Sequence, residues 1–311
     1  MALFKKNNPQ SGLTGVGLHG HGASVVRVRR SAGALPCVTV CEFRSWIDGE
    51  DRGKALGRLA GQHGLKKSRC ATALDPGEYN LLLTEAPEVP DEELRAAIRW
   101  RIKDIVDFPI QNATIELFEL PGERVPGRPR SVYAVAARSD AIQRRVDLLT
   151  ASGINLDVVD IPELAQRNLA ALLPQDARGV VMLSFSRASG LITITRQGEI
   201  YLSRSLDVGL EQLQAGALLS ELLDRIVLEL QRSLDYYDSY FRLAPVTDLV
   251  LVPLPAEIPG LLEHLNANLS VTATVMEPEQ VLDFEVAVPP AQFYDCLWTL
   301  GVALRQEMSV P

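Results

Sequence analysis

The stretch Val16-Gly-Leu-His-Gly-His-Gly-Ala-Ser24 combines closely spaced glycines with the first β-forming residues of the chain. It lies in the segment 15–30, for which Val25, Val26 and Val28 predict a strand, because β-branched side chains favour extended structure. Glycines let a backbone approach a ligand closely, so a phosphate-binding loop is one interpretation of the stretch. A Walker A loop is excluded, since no Gly-Lys-Ser/Thr follows.

His19 and His21 of the same stretch are candidates for metal binding, because residues i and i+2 share one face of a strand. Zinc normally takes three or four ligands, and the sequence supplies no evident third. We therefore expect a solvated or packed histidine pair and no metal site. The four cysteines match neither a zinc pattern nor a Cys-x-x-Cys redox motif, and we expect them to be buried free thiols: Cys37, Cys41, Cys70 and Cys296.

Strand and helix patterns alternate along the rest of the chain and indicate an α/β protein. In the first part, strands are predicted at 35–43, 70–75, 79–84, 114–120, 131–137 and 156–161, and helices at 52–63, 91–107, 139–152 and 163–173. In the second part, strands are predicted at 179–185, 190–196, 198–205, 248–252 and 270–275, and helices at 216–241, 259–268 and 291–306. We interpret this order as a duplicated α/β unit in two lobes, 12–175 and 178–311.

The overall composition excludes several classes of protein. With 311 residues, 47% hydrophobic and 23% charged, the chain has the size and balance of about two globular domains. The net charge of −8 argues against nucleic acid as the main ligand, because phosphate binding needs a concentrated positive field. The chain has neither a run of 18 apolar residues nor the apolar core of a secretory signal, so we expect a cytoplasmic protein without a membrane span.

The segment 91–107 predicts an amphipathic helix, with Asp91 as N-cap and Pro109 closing the segment. Its apolar stripe has two interpretations. An amphipathic helix buries its apolar face against the core by default, and a peptide groove is the alternative.

Several segments of the sequence resemble the PilM family of type IV pilus assembly proteins, and most closely its MshI branch, which serves the mannose-sensitive haemagglutinin (MSHA) pilus. They follow the family's order over nearly the whole chain. The segments are Asp91-Glu-Glu-Leu-Arg-Ala-Ala-Ile-Arg-Trp100 running to Asp107-Phe-Pro-Ile110, then 153–162, Gly198-Glu-Ile-Tyr-Leu-Ser-Arg204, 226–241 with Arg232-Ser-Leu-Asp-Tyr-Tyr237, and Leu300-Gly-Val-Ala-Leu-Arg305.

The resemblance implies the actin-like ATPase (ribonuclease H-like) fold, with two lobes around a nucleotide cleft. A small extra subdomain of the FtsA and PilM type is then expected in the first lobe at about 75–137, and the helix 291–306 is expected to pack back on that lobe. The implied role is binding of the N-terminal cytoplasmic tail of a PilN-like (MshJ-like) single-pass inner-membrane protein, in a groove beside the subdomain. The pilus assembly ATPase or platform protein is a further partner to consider. The candidate contact residues are Leu94, Ile98, Trp100, Ile102, Ile105, Phe108 and Ile110.

Actin-like ATPases cradle phosphates with two glycine-containing hairpins, each of which also brings an Asp. At the first hairpin the Asp position holds His19, and an imidazole cannot replace a hard carboxylate ligand of Mg²⁺. The second hairpin, at 183–187, has neither Asp nor Gly in the expected places. A downstream Gly-Gly pair is reduced to Val208-Gly209. The segment expected to pack against adenosine, 252–256, has no glycine. The residues at these degenerate loops are Gly17, His19, Gly20, Gly22, Ser184, Ser186 and Gly209.

We therefore expect no ATP hydrolysis, no catalytic residue and no cofactor. An active ATPase of the same family, in which ATP and Mg²⁺ regulate pilus assembly, is the alternative. A sugar or acetate kinase relative on the same fold would need an intact phosphate cradle and a catalytic acid in the cleft, and neither is visible in the sequence.

Overall fold

The computed structural model describes residues 12–122 and 130–306. Up to the middle of the chain, the strands and helices form the first lobe and a small subdomain inserted in it. These elements are β1 (Thr14–His19), β2 (Gly22–Arg29), β3 (Cys37–Ser45), α1 (Arg52–His63), β4 (Cys70–Ala73), β5 (Tyr79–Glu85), α2 (Asp91–Ile102), β6 (Ala113–Glu119), β7 (Ser131–Arg138), α3 (Ser139–Ala151), β8 (Leu156–Asp160) and α4 (Pro162–Ala170).

The elements that follow form the second lobe, before the chain returns to the first. They are β9 (Val180–Phe185), β10 (Gly190–Arg196), β11 (Glu199–Leu206), α5 (Leu210–Ala215), α6 (Leu219–Phe241), β12 (Asp248–Leu251), α7 (Leu261–Asn268), β13 (Thr272–Val275), β14 (Asp283–Phe284), α8 (Pro290–Asp295) and α9 (Leu297–Ala303).

The two lobes repeat one sheet topology. In the first lobe the strand order is β14-β3-β2-β1-β4-β8, and in the second it is β11-β10-β9-β12-β13. Each sheet has an antiparallel three-stranded meander followed by two parallel strands, and β14 adds to the first sheet in parallel with β3. The β1–β2 hairpin and the β9–β10 hairpin therefore occupy equivalent positions in the two lobes.

The inserted subdomain is a three-stranded antiparallel sheet, in the order β5-β7-β6, with α2 packed on one face. Its core is separate from the cores of the lobes. The fully buried members of that core include Ile98 and Ile102 of α2, Ile115 of β6 and Ala134 of β7. Burial of the apolar stripe of α2 thus stabilises the subdomain itself.

Helix α9 packs across β1, β2 and β4 of the first lobe and against α4. Glycines make this close approach feasible. A Cβ on Gly15 would lie 2.1 Å from the carbonyl oxygen of Thr299, and one on Gly301 would lie 2.5 Å from the carbonyl oxygen of Ala165. The end of the chain therefore covers the first-lobe sheet beside the β1–β2 hairpin.

Several predicted elements differ from the structure for identifiable reasons. The predicted strand 15–30 is the hairpin of β1 and β2, which turns at Gly20 and His21. The predicted helix 216–241 is α6, which begins only at Leu219, because Gly216 and Leu218 before it have positive φ angles of 69° and 60°. The predicted helix 291–306 is divided at Cys296, which joins α8 to α9.

The predicted helix 91–107 ends at Ile102, and its N-cap is Pro90 rather than Asp91. Pro109 disfavours helical structure in the residue before it, and the amides of Ile105 and Val106 turn back to the carbonyl of Ile102. Among residues 12–122 and 130–306, no helix has the length and apolar character that crossing a membrane would require.

Candidate functional site

A cavity of about 220 Å³ lies where the subdomain, the first lobe and the second lobe meet. Prolines, leucines and a tryptophan give it apolar walls, and four serines add hydroxyl groups. The lining residues are Pro76, Gly77, Tyr79, Asn80, Leu81, Pro162, Glu163, Ser186, Ser189, Gly190, Leu191, Ser203, Ser205 and Trp298.

Two edge strands bring side chains to this cavity. Tyr79 and Leu81 are two residues apart on β5, and Ser203 and Ser205 are two residues apart on β11, so each pair lies on one face of its strand. Within the described ranges, β5 pairs only with β7 and β11 only with β10, so each strand has a free edge. An edge strand presents unpaired backbone N–H and C=O groups to a ligand or a partner chain.

Hydrogen bonds and ion pairs hold the subdomain in position beside the cavity. The buried Arg145 of α3 contacts the turn before β5, with its Nη2 3.0 Å from Asp75 Oδ2 and 2.5 Å from Glu78 Oε2. On the other side, the backbone N–H of Ser203 donates to the hydroxyl of Tyr133 at 3.1 Å. Burial raises the pKa of Tyr133 to about 12, so this hydroxyl stays neutral.

Glu163 lies in the first turn of α4 and is only 8% exposed. The hydroxyl of Tyr79 donates a hydrogen bond to its Oε2 at 2.6 Å. Burial raises the pKa of Glu163, because a low-dielectric environment disfavours the charged form. Burial likewise holds the pKa of Tyr79 well above its ordinary value, so Tyr79 is the proton donor of this pair.

The two histidines of the first hairpin both pack against the ring of Phe43 but form different hydrogen bonds. His19 Nε2 lies 2.9 Å from Ser24 Oγ, which in turn lies 2.5 Å from Thr299 Oγ1 of α9. Burial lowers the pKa of His19 to about 4, so the imidazole is neutral near pH 7. His21 contacts Asp295 instead, at 3.2 Å. In the part of the chain that the structure describes, no three His, Cys, Asp or Glu residues are grouped to hold a metal ion.

The glycines of the first hairpin are explained largely by packing. A Cβ on Gly17 would lie 2.3 Å from both Ser24 Oγ and Thr299 Oγ1, and one on Gly22 would lie 2.4 Å from the ring of Phe43. Gly20 has open space around it. Gly17 thus accommodates the His19–Ser24–Thr299 contacts.

The second hairpin uses its polar groups within the protein. Ser186 Oγ accepts from the backbone N–H of Ser189 at 3.0 Å. The carbonyls of Ser186 and Arg187 accept from the first two amides of α5, those of Leu210 and Glu211, at 2.9 and 3.0 Å. Gly209 allows this contact, because a Cβ there would lie 2.4 Å from the carbonyl oxygen of Arg187. Two of the helix-end donors, the kind of group that commonly binds anions, are therefore occupied.

Ser184 lies inside the second lobe and bonds across to the first. Its hydroxyl donates to Gln166 Oε1 of α4 at 2.6 Å, and Gln166 Nε2 donates to Thr193 Oγ1 and to the carbonyl of Met182, both at 2.9 Å. The three side chains and Met182 are fully buried. This network joins α4 to the second sheet, because an unpaired buried polar group would be costly.

The structure buries four of the seven predicted contact residues. Leu94, Ile98, Ile102 and Ile110 are buried in the subdomain core, so they do not form an open groove. The reason is that α2 and the segment after it cover that face of the three-stranded sheet. Phe108 packs half-buried against the same core, while Trp100 and Ile105 are 65% and 63% exposed.

Apart from Ser186, which the sequence marks as part of a degenerate phosphate loop, the cavity residues were missed by sequence reasoning, because they come from separate segments with no shared motif. Leu82 belongs to the core under α2, whereas its neighbour Leu81 lines the cavity. The cavity and α2 therefore lie on opposite faces of the subdomain sheet. All four cysteines are free thiols; Cys70 and Cys296 are buried and Cys37 and Cys41 are half-buried.

Known proteins share part of this sequence and its fold. Residues 81–217 match the family described as "Type IV pilus assembly protein PilM". Over 95% of this chain and 98% of the other, the fold is similar to a structure of the "PilM-PilN type IV pilus biogenesis complex", at a TM-score of 0.72 and 20% sequence identity. No curated protein matches the chain by sequence.

Two further structures share the fold more distantly. One is the cytoplasmic domain of EpsL, an inner-membrane component of the type II secretion system of Vibrio cholerae, with a TM-score of 0.52, 13% identity, and 96% and 97% of the two chains covered. The other is a Bacteroides thetaiotaomicron protein of unknown function with an actin-like ATPase fold, with a TM-score of 0.50, 8% identity, and 89% and 95% covered. The predicted fold class is confirmed. The chain is PilM-like: it has the actin-like fold, and its residues 81–217 carry the sequence pattern of type IV pilus assembly protein PilM.

Proposed function

We propose that the chain is a scaffold of a type IV pilus assembly platform, and that its cavity captures the N-terminal cytoplasmic tail of a PilN-like single-pass membrane protein. The observation that carries the proposal is the position of the cavity. Most of its lining residues fall within 81–217, the segment that matches PilM, and the fold is similar to that of a PilM–PilN complex.

The cavity has the features that an extended peptide needs. Leu81, Leu191 and Trp298 offer apolar surface for anchor side chains. The free edges of β5 and β11 offer backbone hydrogen bonds beside it, except at Ser203, whose N–H donates to Tyr133. Strand addition of this kind takes affinity from main-chain bonds and specificity from pockets for alternate side chains.

The test is a calorimetric titration of the protein with a synthetic peptide of the partner's N-terminal tail. Ser205 is exposed on β11 and lines the cavity, so Ser205→Trp should fill the cavity without disturbing the core. Ser239→Trp, at an exposed serine of α6, is the matched control. We expect saturable binding by the wild type and the control, and its loss in Ser205→Trp. Absence of wild-type binding at high micromolar peptide would contradict the proposal.

The proposal includes the absence of ATP hydrolysis. Its support is that the acid position of the first hairpin holds a neutral His19 hydrogen-bonded to Ser24, and that two carbonyls of the second hairpin accept hydrogen bonds from α5. An ATP-binding protein would gain stability from its ligand. We expect the melting temperature to stay unchanged at millimolar Mg-ATP, and a rise would favour the regulatory ATPase as the alternative function.

The proposed assignment to the MSHA pilus rests on the sequence segments that resemble the MshI branch. We place the protein at the cytoplasmic face of the inner membrane, held there through an MshJ-like partner of the MSHA pilus, with the assembly ATPase or platform protein as a further neighbour. Competition between tail peptides tests this assignment. An MshJ-like tail should bind more tightly than the tails of PilN-like proteins from other pilus systems, and equal affinities would leave the pilus system unassigned.

A further inference from the structure

Among the cavity-lining residues that the structure describes, Glu163 is the one carboxylate, and none is a lysine, an arginine or a histidine. Its side chain is almost fully buried, and Tyr79 supplies a hydrogen bond to one of its oxygens. Across residues 12–122 and 130–306, none of the ion pairs involves Glu163. A buried carboxylate without a cation is costly, and a positive group that enters the cavity would relieve that cost.

Asp160 provides an internal comparison, because it is buried three residues before Glu163, at the end of β8. It is 3% exposed, and Arg305 Nη1 lies 2.7 Å from its Oδ2. The fold therefore pairs Asp160 with a cation of the same chain, whereas Glu163 faces the cavity.

The walls beside Glu163 suit a positive group. Tyr79 and Trp298 both line the cavity, and aromatic rings attract cations as well as apolar stems. The serines at 186, 189, 203 and 205 add hydroxyl oxygens that can accept hydrogen bonds. A lysine or arginine side chain would place its apolar stem against Leu81 or Trp298 and its charged end at Glu163.

We infer that Glu163 recognises a positively charged group of the captured tail, an ammonium or a guanidinium. This inference rests on the proposed function. The cytoplasmic segments that flank single membrane spans carry an excess of lysine and arginine, so a tail of this class supplies the required charge close to the membrane. The sources of the charge are a basic side chain and the N-terminal α-amino group of the tail.

The experiment is a double-mutant cycle between the protein and the tail peptide, measured by calorimetry. Glu163→Gln keeps the shape of the side chain and an oxygen that can accept from Tyr79, but removes the charge. Glu199→Gln, at an exposed acid of β11, is the matched control for the loss of one negative charge. The peptides are the unmodified tail, versions with each lysine or arginine replaced by glutamine, and an N-terminally acetylated version.

We expect Glu163→Gln to weaken binding of the unmodified tail about tenfold or more, because losing one partner of a buried charge pair is costly. With the one peptide that lacks the recognised charge, the same substitution should cause no further loss. That peptide identifies whether a basic side chain or the α-amino group is bound.

Different failures have different meanings. If the wild type binds the tail and Glu163→Gln binds equally well, this inference is wrong and the proposed function stands. Equal loss with every peptide would also overturn it, because Glu163 would then act on the fold of the cavity and not on a charge. If the wild-type protein binds no tail peptide, the proposed function is wrong and the inference fails with it.

Discussion

Replacing Ile98 with alanine tests whether the apolar stripe of α2 is core or groove. Ile98 is 0% exposed, and the substitution removes three carbon atoms. At about 0.8 kcal/mol for each buried methylene, the transfer contribution is about 2.4 kcal/mol. The cavity left behind raises the expected loss to about 3–4 kcal/mol, within the range for large-to-small core substitutions. Trp100→Ala is the matched control on the same helix, because Trp100 is 65% exposed and should cost less than about 0.5 kcal/mol.

The assay is native-state hydrogen exchange of the amides of β7, the central strand of the subdomain sheet. Exchange reports local opening, so it measures the stability of the subdomain without requiring the whole chain to unfold in one step. Since about 1.4 kcal/mol corresponds to a factor of ten, protection should fall by about two to three orders of magnitude in Ile98→Ala. A fall of less than about threefold, or an equal fall in Trp100→Ala, would refute the packing argument.

Three further predictions concern His19, Cys70 and Gly301. The His19 imidazole should titrate near pH 4 by nuclear magnetic resonance. Because this folded pKa lies below the unfolded value of about 6.5, the unfolded state binds more protons between the two pH values. The free energy of unfolding should therefore fall as the pH falls through that window, and His19→Gln should remove this effect. A native His19 that titrates near 6.5 would contradict this. Cys70 should resist an alkylating reagent in the native protein, since burial raises its pKa to about 11, and labelling of Cys70 as fast as of Cys37 would show that it is not buried. Gly301→Val should lower the melting temperature because its Cβ would clash with the carbonyl of Ala165, and an unchanged melting temperature would show that α9 and α4 are not in close contact.

The sequence was informative wherever the local pattern determined the structure. Helix α1 begins and ends where its apolar spacing predicts, at Arg52 and His63, with Asp51 accepting from the amide of Lys54. The strands of the second meander, β9 to β11, were also predicted close to their bounds, whereas β1 and β2 were predicted as one strand. Local signals also misled, as at Leu218, whose left-handed backbone delays the start of α6 to Leu219 although leucine rarely adopts that conformation.

The site itself was harder to predict, because it depends on contacts between distant residues. An amphipathic stripe shows that the face of α2 is buried, but not whether a sheet or a peptide covers it. Tyr79, Glu163 and Ser203 come together only through the packing of three parts of the fold. His19 was identified as the replacement of an acid, yet its link through Ser24 to Thr299 joins residues 275 positions apart.

The central claim is that a partner tail binds in the cavity beside the subdomain. Hydrogen exchange of the full chain, with and without saturating tail peptide, tests it most directly. We predict slower exchange in β5 and β11, whose free edges and side chains border the cavity, and unchanged exchange in α2. Protection confined to α2 and the turn around Ile105, or no protection at saturating peptide, would contradict the account.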